Sequence, residues 1–539
     1  MQYDVIIIGG GIGGLTAGAV LSKKGKKVLL LEQHFIVGGA ATIFKRKDIN
    51  LEVGLHEMDF GKYGYDVKHD LFNFLELNKR VELVSLPETW QVVDNNISYK
   101  VPEGIKEAEE YLISQFPHET KGIKKYFKKM KRAAFAFGRL PYDMNFFEFL
   151  IYPLVKFPFV VKYFFDQRST GEVLDSLFKD DKLKRLLNAN LVYFHDNPYE
   201  FSWYYHALAQ YNYYNGAKFI KGGSYSLSKA LADIITENGG TVETMCNVDK
   251  VLVENGKAYG VSYTNKRTKE VVEVTSDYVI ANCAPENLYT SMVDEKYNDT
   301  SLEKFEESVS LYTVYLVFKE NLENIYKDHA YSTFICQNDY DKPFSQMNGS
   351  MKNTPIEDRG FVFVDYGRID SGLAIKEDEK RAVGVFCSAS YLSEWENLSK
   401  EEYMAKKNKL VEDLFIRAEK YFPNLEDHVE YFEVSTPKTI KRYMKTPSGT
   451  AYGYKNNHYL RKGRVPRFSR TIKNLLFTGA YAFPGGGFTG ALISGYMAAM
   501  NLIEPLRIHI IRRLIITTII CIGISTAYKW IPALLSLLK

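Results

Sequence analysis

Three glycine clusters, each followed by a helical pattern, predict an α/β protein whose first domain is assembled from three separated stretches of chain. The clusters are Gly9-Gly10-Gly11-Ile12-Gly13-Gly14, Gly222-Gly223-Ser224 and Gly485-Gly486-Gly487-Phe488-Thr489-Gly490. A chain of 539 residues is too long for one simple core, so the stretches between clusters are expected to form a second, α+β domain interleaved with the first. The expected boundaries are 1–75, 216–290 and 466–503 for the first domain, 76–215 and 291–465 for the second, and 504–539 for a membrane-associated C-terminal tail.

Composition narrows the function. With 46% hydrophobic and 25% charged residues the chain folds as an ordinary protein. A formal net charge of +4 is too small at this length to imply a nucleic-acid partner. Cys246, Cys283, Cys336, Cys387 and Cys521 are scattered, with no C-x-x-C pair and no histidine cluster nearby. That argues against a disulfide framework or a metal site and fits a reducing compartment. The aromatic share of 14% has two readings, compositional bias or the lining of a cavity for a long apolar ligand.

The N-terminal unit is read residue by residue. Tyr3 to Ile8 is a β-branched apolar run, as expected of a strand buried on both faces. It leads into Gly9, Gly11 and Gly14 at G-x-G-x-x-G spacing, a helical stretch from about Leu15 to Lys24, Gly25 as a stop, and a strand from Lys27 to Leu31 ending in Glu32. Gly9 permits the tight turn, Gly11 lets backbone approach a pyrophosphate, and Gly14 lets helix and strand pack closely. The helix N-terminus offers N–H groups and a positive dipole end to phosphate. Glu32 stands where an acid accepts the ribose hydroxyls and disfavours a 2′-phosphate. In order, these parts make a Rossmann-like dinucleotide site.

A second glycine pair follows at Gly38-Gly39-Ala40-Ala41-Thr42. It resembles the doublet of FAD enzymes in the amine oxidase and phytoene desaturase superfamily, which implies FAD rather than NAD. The arginine usual after the doublet is Ala40 here. Gly222-Gly223-Ser224, its helix through Leu227, Leu231, Ile234 and Ile235, and hairpin strands turning at Asn255-Gly256 resemble the segment that returns to the FAD domain, where the backbone at Val248 would touch adenine. Asp277 to Ala281 reads as another buried strand. The third cluster formally repeats G-x-G-x-x-G, but no second strand ending in an acid follows its helix, expected from Ala491 to about Leu502. It is read as the C-terminal flavin motif, whose helix turns its positive end to the flavin pyrimidine. Many relatives carry an acid after the first glycine of that motif, where this chain has Ala480.

Together the clusters and Leu51-Glu52-Val53-Gly54-Leu55-His56-Glu57 resemble the phytoene desaturase, carotenoid isomerase and retinol saturase group over about residues 1–60, 220–290 and 470–503. The resemblance implies flavin contacts at Gly9, Gly11, Ile12, Gly13, Gly14, Glu32, Gln33, Gly38, Gly39, Ala40, Thr42, Gly54, Leu55, His56, Val248, Gly479, Gly486, Gly487, Phe488 and Thr489. It also implies redox or isomerisation at carbon–carbon bonds of a long apolar polyene or isoprenoid, with His56 and Glu57 as polar groups at the reacting centre. His195, His206 and Tyr204, Tyr205, Tyr211, Tyr213 and Tyr214 are read either as pocket lining or as aromatic core. Two rivals share the fold: an amine or other non-polyene oxidase, and a prenyl-lipid carrier resembling the GDP dissociation inhibitors, which use no flavin.

Two features point to a membrane. Leu514 to Leu538 is apolar except for Lys529, with Arg507, Arg512 and Arg513 before it, which predicts a spanning or embedded tail and a catalytic body on the cytoplasmic side. Lys121, Lys124, Lys125, Lys128, Lys129 and Arg132 recur at helical spacing, and the aromatic segment Phe146 to Val161 follows. A basic stripe beside such a segment suits docking on an anionic membrane; a solvated helix face beside a core segment is the plainer alternative.

Overall fold

The protein's structure is a computed structural model, which describes residues 2–504 and 508 apart from 47, 62–65, 95–96, 139–143, 145–157, 159–160, 162–164, 194, 337–342, 348–349, 374–380 and 460–463. One sheet contains β1 (Gln2–Ile8), β2 (Val28–Leu31), β3 (Thr241–Glu243), β4 (Cys246–Glu254), β5 (Lys257–Asn265), β6 (Val271–Ala281) and β7 (Leu475–Phe477). Its helices are α1 (Ile12–Lys23), α2 (Ser224–Glu237) and α3 (Gly487–Ile503), with α1 packed against both others.

β3, β2, β1 and β6 run parallel in that order, and β7 joins the last part of β6, also in parallel. The earlier part of β6 pairs antiparallel with β5, which forms a hairpin with β4. Asn255 and Gly256 both take positive φ at that hairpin turn, the twist a two-residue connection requires. This pairing with β5 is why β6 begins at Val271, before the apolar run at Asp277 that the sequence shows. Val5 and Ile7 enter one core while Ile6 and Ile8 enter another, so β1 carries no polar alternation. α3 starts at Gly487, earlier than the expected Ala491 and despite the poor helix propensity of its glycine-rich first turn, and from Ala491 onward it packs against α1. That packing is close, since a Cβ on Gly495 would stand 2.3 Å from the Gly13 carbonyl oxygen of α1.

The second sheet orders Val429–Ser435, Ser310–Phe318, Ala382–Ser390, Phe361–Asp365, Ser332–Ile335, Glu88–Asp94 and Ile97–Pro102. All neighbours are antiparallel except Ser332–Ile335 with Glu88–Asp94. Period-2 alternation splits its faces. Val314, Leu316 and Phe318 share a core with Leu410, Leu414 and Phe415 of helix Lys400–Glu419, whereas Tyr315 and Val317 join the core shared with the first sheet.

Helix Thr120–Phe137 carries the basic stripe: Lys121, Lys124, Lys125, Lys128 and Arg132 are exposed, while Ile123, Tyr126, Phe127 and Met130 are buried. All but two residues of Phe146 to Val161, and residues 505–539 apart from Ile508, lie outside the described residues, so the expected tail and aromatic segment have no structural account. Among the described residues, no helix is long and apolar enough to cross a membrane.

Candidate flavin and substrate site

The carboxyl ends of four parallel strands meet along one edge, where open α/β sheets bind ligands. Gly9, Glu32, Asn282 and Gly479 follow or closely follow β1, β2, β6 and β7, and all line one cavity of about 880 Å³. Space there is reserved by the absence of side chains. Gly9 has φ +96°, and a Cβ on Gly13 would stand 2.6 Å from the Gly479 Cα. Asn282 Nδ2 donates to the Gly9 carbonyl at 3.1 Å and locks the turn from the neighbouring strand. The Gly38 N–H donates to the Gly10 carbonyl at 2.7 Å, bringing the glycine doublet beside the first motif.

Among the described residues no side chain caps the N-terminus of α1 or α3, and the first residues of both helices line the cavity. Uncapped N–H groups and a positive dipole end suit a diphosphate at one helix and an electron-rich ring at the other. Glu32 Oε2 accepts from the Gly10 N–H at 2.7 Å and Oε1 from the His34 N–H at 2.8 Å, and burial raises its pKa. Cradle, helix ends and buried acid fit an FAD.

Of the flavin contacts read from the sequence, Gly9, Gly11, Ile12, Gly13, Glu32, Gln33, Gly38, Gly39, Ala40, Gly54, His56, Val248, Gly479, Gly486, Gly487, Phe488 and Thr489 line this cavity. Gly14, Thr42 and Leu55 stand behind its wall. A Cβ on Gly14 would lie 2.3 Å from the Gly9 carbonyl oxygen, the Thr42 carbonyl accepts from the Val53 N–H, and Leu55 is buried with its N–H bonded to Glu52.

The loop that carries His56 is held from two sides. Glu52, 1% exposed, accepts from the N–H groups of Gly54 (3.1 Å), Leu55 (2.9 Å) and Ser224 (2.7 Å) and from the Ser224 hydroxyl (2.7 Å). One carboxylate thereby satisfies the start of α2 and shapes the loop. From the second sheet and its strand ends, the hydroxyls of Tyr315, Tyr366 and Tyr331 donate to the carbonyls of Val53 (3.1 Å), Leu55 (2.9 Å) and His56 (2.6 Å). The sequence does not pair these tyrosines with the loop, because they lie more than 200 positions away.

His56 Nδ1 is 3.1 Å from the Tyr193 hydroxyl, and burial depresses its pKa to about 4, so the imidazole is neutral at pH 7. Glu57 is buried, accepts from the Ser332 hydroxyl at 3.2 Å and leaves Oε1 without a hydrogen-bond partner among the described residues. Burial lifts its pKa to about 8, so most of it is a neutral carboxylic acid at pH 7. Next along the wall, Lys68 is ion-paired with Asp66 (2.9 Å) and Asp59 (3.3 Å), and the Thr489 hydroxyl donates to Asp59. This cluster joins helix Val67–Leu75 to the first turn of α3. Asn282, Lys68 and Arg464 are wall or support residues the sequence reading missed. Only Asn282 carries a signal, its place directly after a buried strand.

The tyrosine-rich run forms helix Trp203–Tyr214 and divides by face. Tyr204, Tyr205 and Tyr213 line the cavity; His206, Tyr211 and Tyr214 are core. His206 Nε2 is 2.9 Å from the Tyr126 hydroxyl, and His195 Nε2 is 2.7 Å from Asn457 Oδ1, so neither histidine belongs to the pocket wall. Among the described residues His195, Asp196 and Glu200 come together with ligand-like spacing, a cluster the sequence does not suggest. The Lys455 ammonium stands 3.1 Å from Asp196 and supplies positive charge there. Cys246, Cys283, Cys336 and Cys387 are unpaired.

A cavity with these features suits a flavin, and the protein stands among FAD-dependent oxidoreductases. The chain matches the flavin containing amine oxidoreductase family over residues 12–503 and belongs to it. It is 26% identical to the chloroplastic prolycopene isomerase of Daucus carota over 519 residues, 92% of this chain and 79% of that one. It is 25% identical to the all-trans-retinol 13,14-reductase of Danio rerio over 548 residues, 92% and 85% of the two chains. A triple mutant of putrescine oxidase shares the fold, with a TM-score of 0.60 at 15% identity over 93% of this chain and 99% of that one.

Proposed function

We propose that the protein isomerises, desaturates or saturates carbon–carbon bonds of a long apolar polyene or isoprenoid lipid, such as a carotenoid or retinoid. The observation that carries this reading is the continuity of the cavity: the flavin cradle shares one chamber with Phe137, Tyr204, Leu208, Leu311, Ile440 and Met444. The two relatives named above act, by their names, on prolycopene and on all-trans-retinol, both polyenes. When bound, the flavin supplies hydride transfer at the carbon–carbon bond. Glu57 holds a proton on a carboxyl that is mostly neutral at pH 7, placed to exchange it with carbon or to hydrogen-bond a polar end. His56, neutral and oriented by Tyr193, fixes the substrate beside that acid. The aromatic wall excludes water from both.

Membrane docking belongs to the same proposal. Ala134, Phe137 and Gly138, at the end of the basic helix, line the chamber while Lys121, Lys124, Lys125, Lys128 and Arg132 face out. This supports docking on an anionic surface with lipid entry beside that helix, and residues 504–539 as a second anchor.

Anaerobic incubation of the flavin-loaded enzyme, oxidised and reduced, with cis-polyenes, retinoids and linear amines tests the reading. Conversion of a polyene, resolved by chromatography, is the expected result. Turnover of the amine with no polyene conversion would return the chain to the amine oxidase rival.

A further inference from the structure

Arg464 lines the flavin chamber at 1% exposure, and no carboxylate among the described residues pairs with it. Its Nη1 donates to the carbonyls of Tyr452 (2.8 Å) and Ala480 (2.7 Å), and Nε donates to Asn456 Oδ1 at 3.1 Å. These partners solvate the guanidinium without neutralising it. Arg359, equally buried, is treated differently, with Glu394 at 2.6 Å. Burial lowers the Arg464 pKa to about 10, which leaves it charged at neutral pH.

The placement of that charge is specific. A Cβ on Gly486 would stand 2.7 Å from Arg464 Nη2, and Gly486 is the N-cap of α3. A guanidinium and the positive end of a helix therefore converge on one part of the chamber, with glycine where a side chain would separate them. An unpaired buried cation beside a positive dipole end is costly unless an anion completes the site. Ala480, whose carbonyl Arg464 holds, brings no charge of its own.

We propose that Arg464 is the counter-charge for the negative charge a bound flavin gains on reduction, keeping the reduced ring deprotonated and raising its reduction potential. Arg464 tunes the cofactor and need not touch substrate. The inference rests on flavin occupying the chamber and is independent of which lipid is turned over.

The test is potentiometric titration of the flavin-loaded enzyme without substrate. Between pH 5.5 and 6.5 the wild-type potential should fall by about 30 mV per pH unit, the slope for one proton taken up per two electrons. Arg464→Gln should lower the potential at pH 7 by about 30 mV or more, a tenfold loss in the reduction equilibrium. Arg464→Lys should keep most of the wild-type value. An unchanged potential in the Gln variant, or an equal loss in the Lys variant, overturns the proposal, because a clamp between two carbonyls would not move a potential through charge. If the Gln variant does not retain flavin, the wild type decides: a slope of about 60 mV per pH unit, meaning two protons, overturns it.

Discussion

In the cradle proposed for the flavin, the groups facing the cavity are mostly main-chain: turns at Gly9, Gly38 and Gly479 and the first N–H groups of α1 and α3. In the chamber beyond, they are side chains such as Tyr193, Tyr204, Tyr213, Leu311 and Ile440, from separate stretches of chain. Backbone recognition tolerates almost no added atoms, because a Cβ has nowhere to move. Side-chain lining can be exchanged at the cost of fit alone.

The sharpest way to break this contrast is one substitution in each half. Gly13→Val places carbon about where the Gly479 backbone lies and should abolish flavin retention, whereas Tyr204→Leu should leave flavin bound and change substrate preference. The ratio of flavin to protein absorbance after purification reads both. A yellow Gly13→Val protein at full occupancy would show that the cradle can yield, and the contrast would fail.

The halves also differ in legibility. Gly9 to Glu32 and Gly38-Gly39 could be read because each motif is contiguous and its spacing reflects one local turn. His56 and Glu57 lie in such a stretch, and both line the chamber. Their long-range supports could not be read: Glu52 holds Gly54 and Leu55 locally but ties them to Ser224, 172 positions away, and Tyr331 donates to His56, 275 away. The tyrosines of helix Trp203–Tyr214 are ambiguous in the sequence because composition says nothing about which face of a helix meets a cavity.

Glu57 offers the next largest effect, on stability. Its folded pKa of about 8 lies above its ordinary value of 4.5, so the fold favours the protonated acid. That preference is fully present below pH 4.5 and is lost as pH rises toward 8, at about 1.4 kcal/mol per pH unit in the window. Glu57→Gln, neutral at every pH, should match wild type near pH 4.5 and become progressively more stable than it up to pH 8. Thermal melts of the flavin-loaded proteins across that range check it. Parallel curves would mean that Glu57 ionises normally and the chamber has no neutral acid.

His56→Ala follows, with an expected loss of roughly 10²-fold in turnover and an unchanged flavin spectrum. A variant that turns over normally would make His56 a packing residue. Acid should act on the wild type through the same group. The His56 pKa of about 4 is depressed from 6.5, so its contribution to stability is present above pH 6.5 and is lost as pH falls toward 4.

The smallest effect separates the chemistry from the scaffold that aims it. Tyr331 reaches the loop through its hydroxyl, which donates to the His56 carbonyl at 2.6 Å from within a buried site. Tyr331→Phe keeps the ring and its packing and removes one hydrogen bond, a change of about 1 kcal/mol and so about fivefold if all of it appears in turnover. Flavin should remain bound, because the cradle glycines stand on the other sheet. If Tyr331 acts by aiming His56, its effect should vanish once His56 is gone, and Tyr331→Phe in the His56→Ala background should cost almost nothing further. Groups that work through one another give non-additive cycles, whereas independent contributions multiply. Turnover of the two single variants and the double variant on one polyene decides. A full fivefold loss in the double variant would mean that Tyr331 shapes the chamber directly, and the division between a readable reacting loop and an unreadable scaffold that positions it would have to be redrawn.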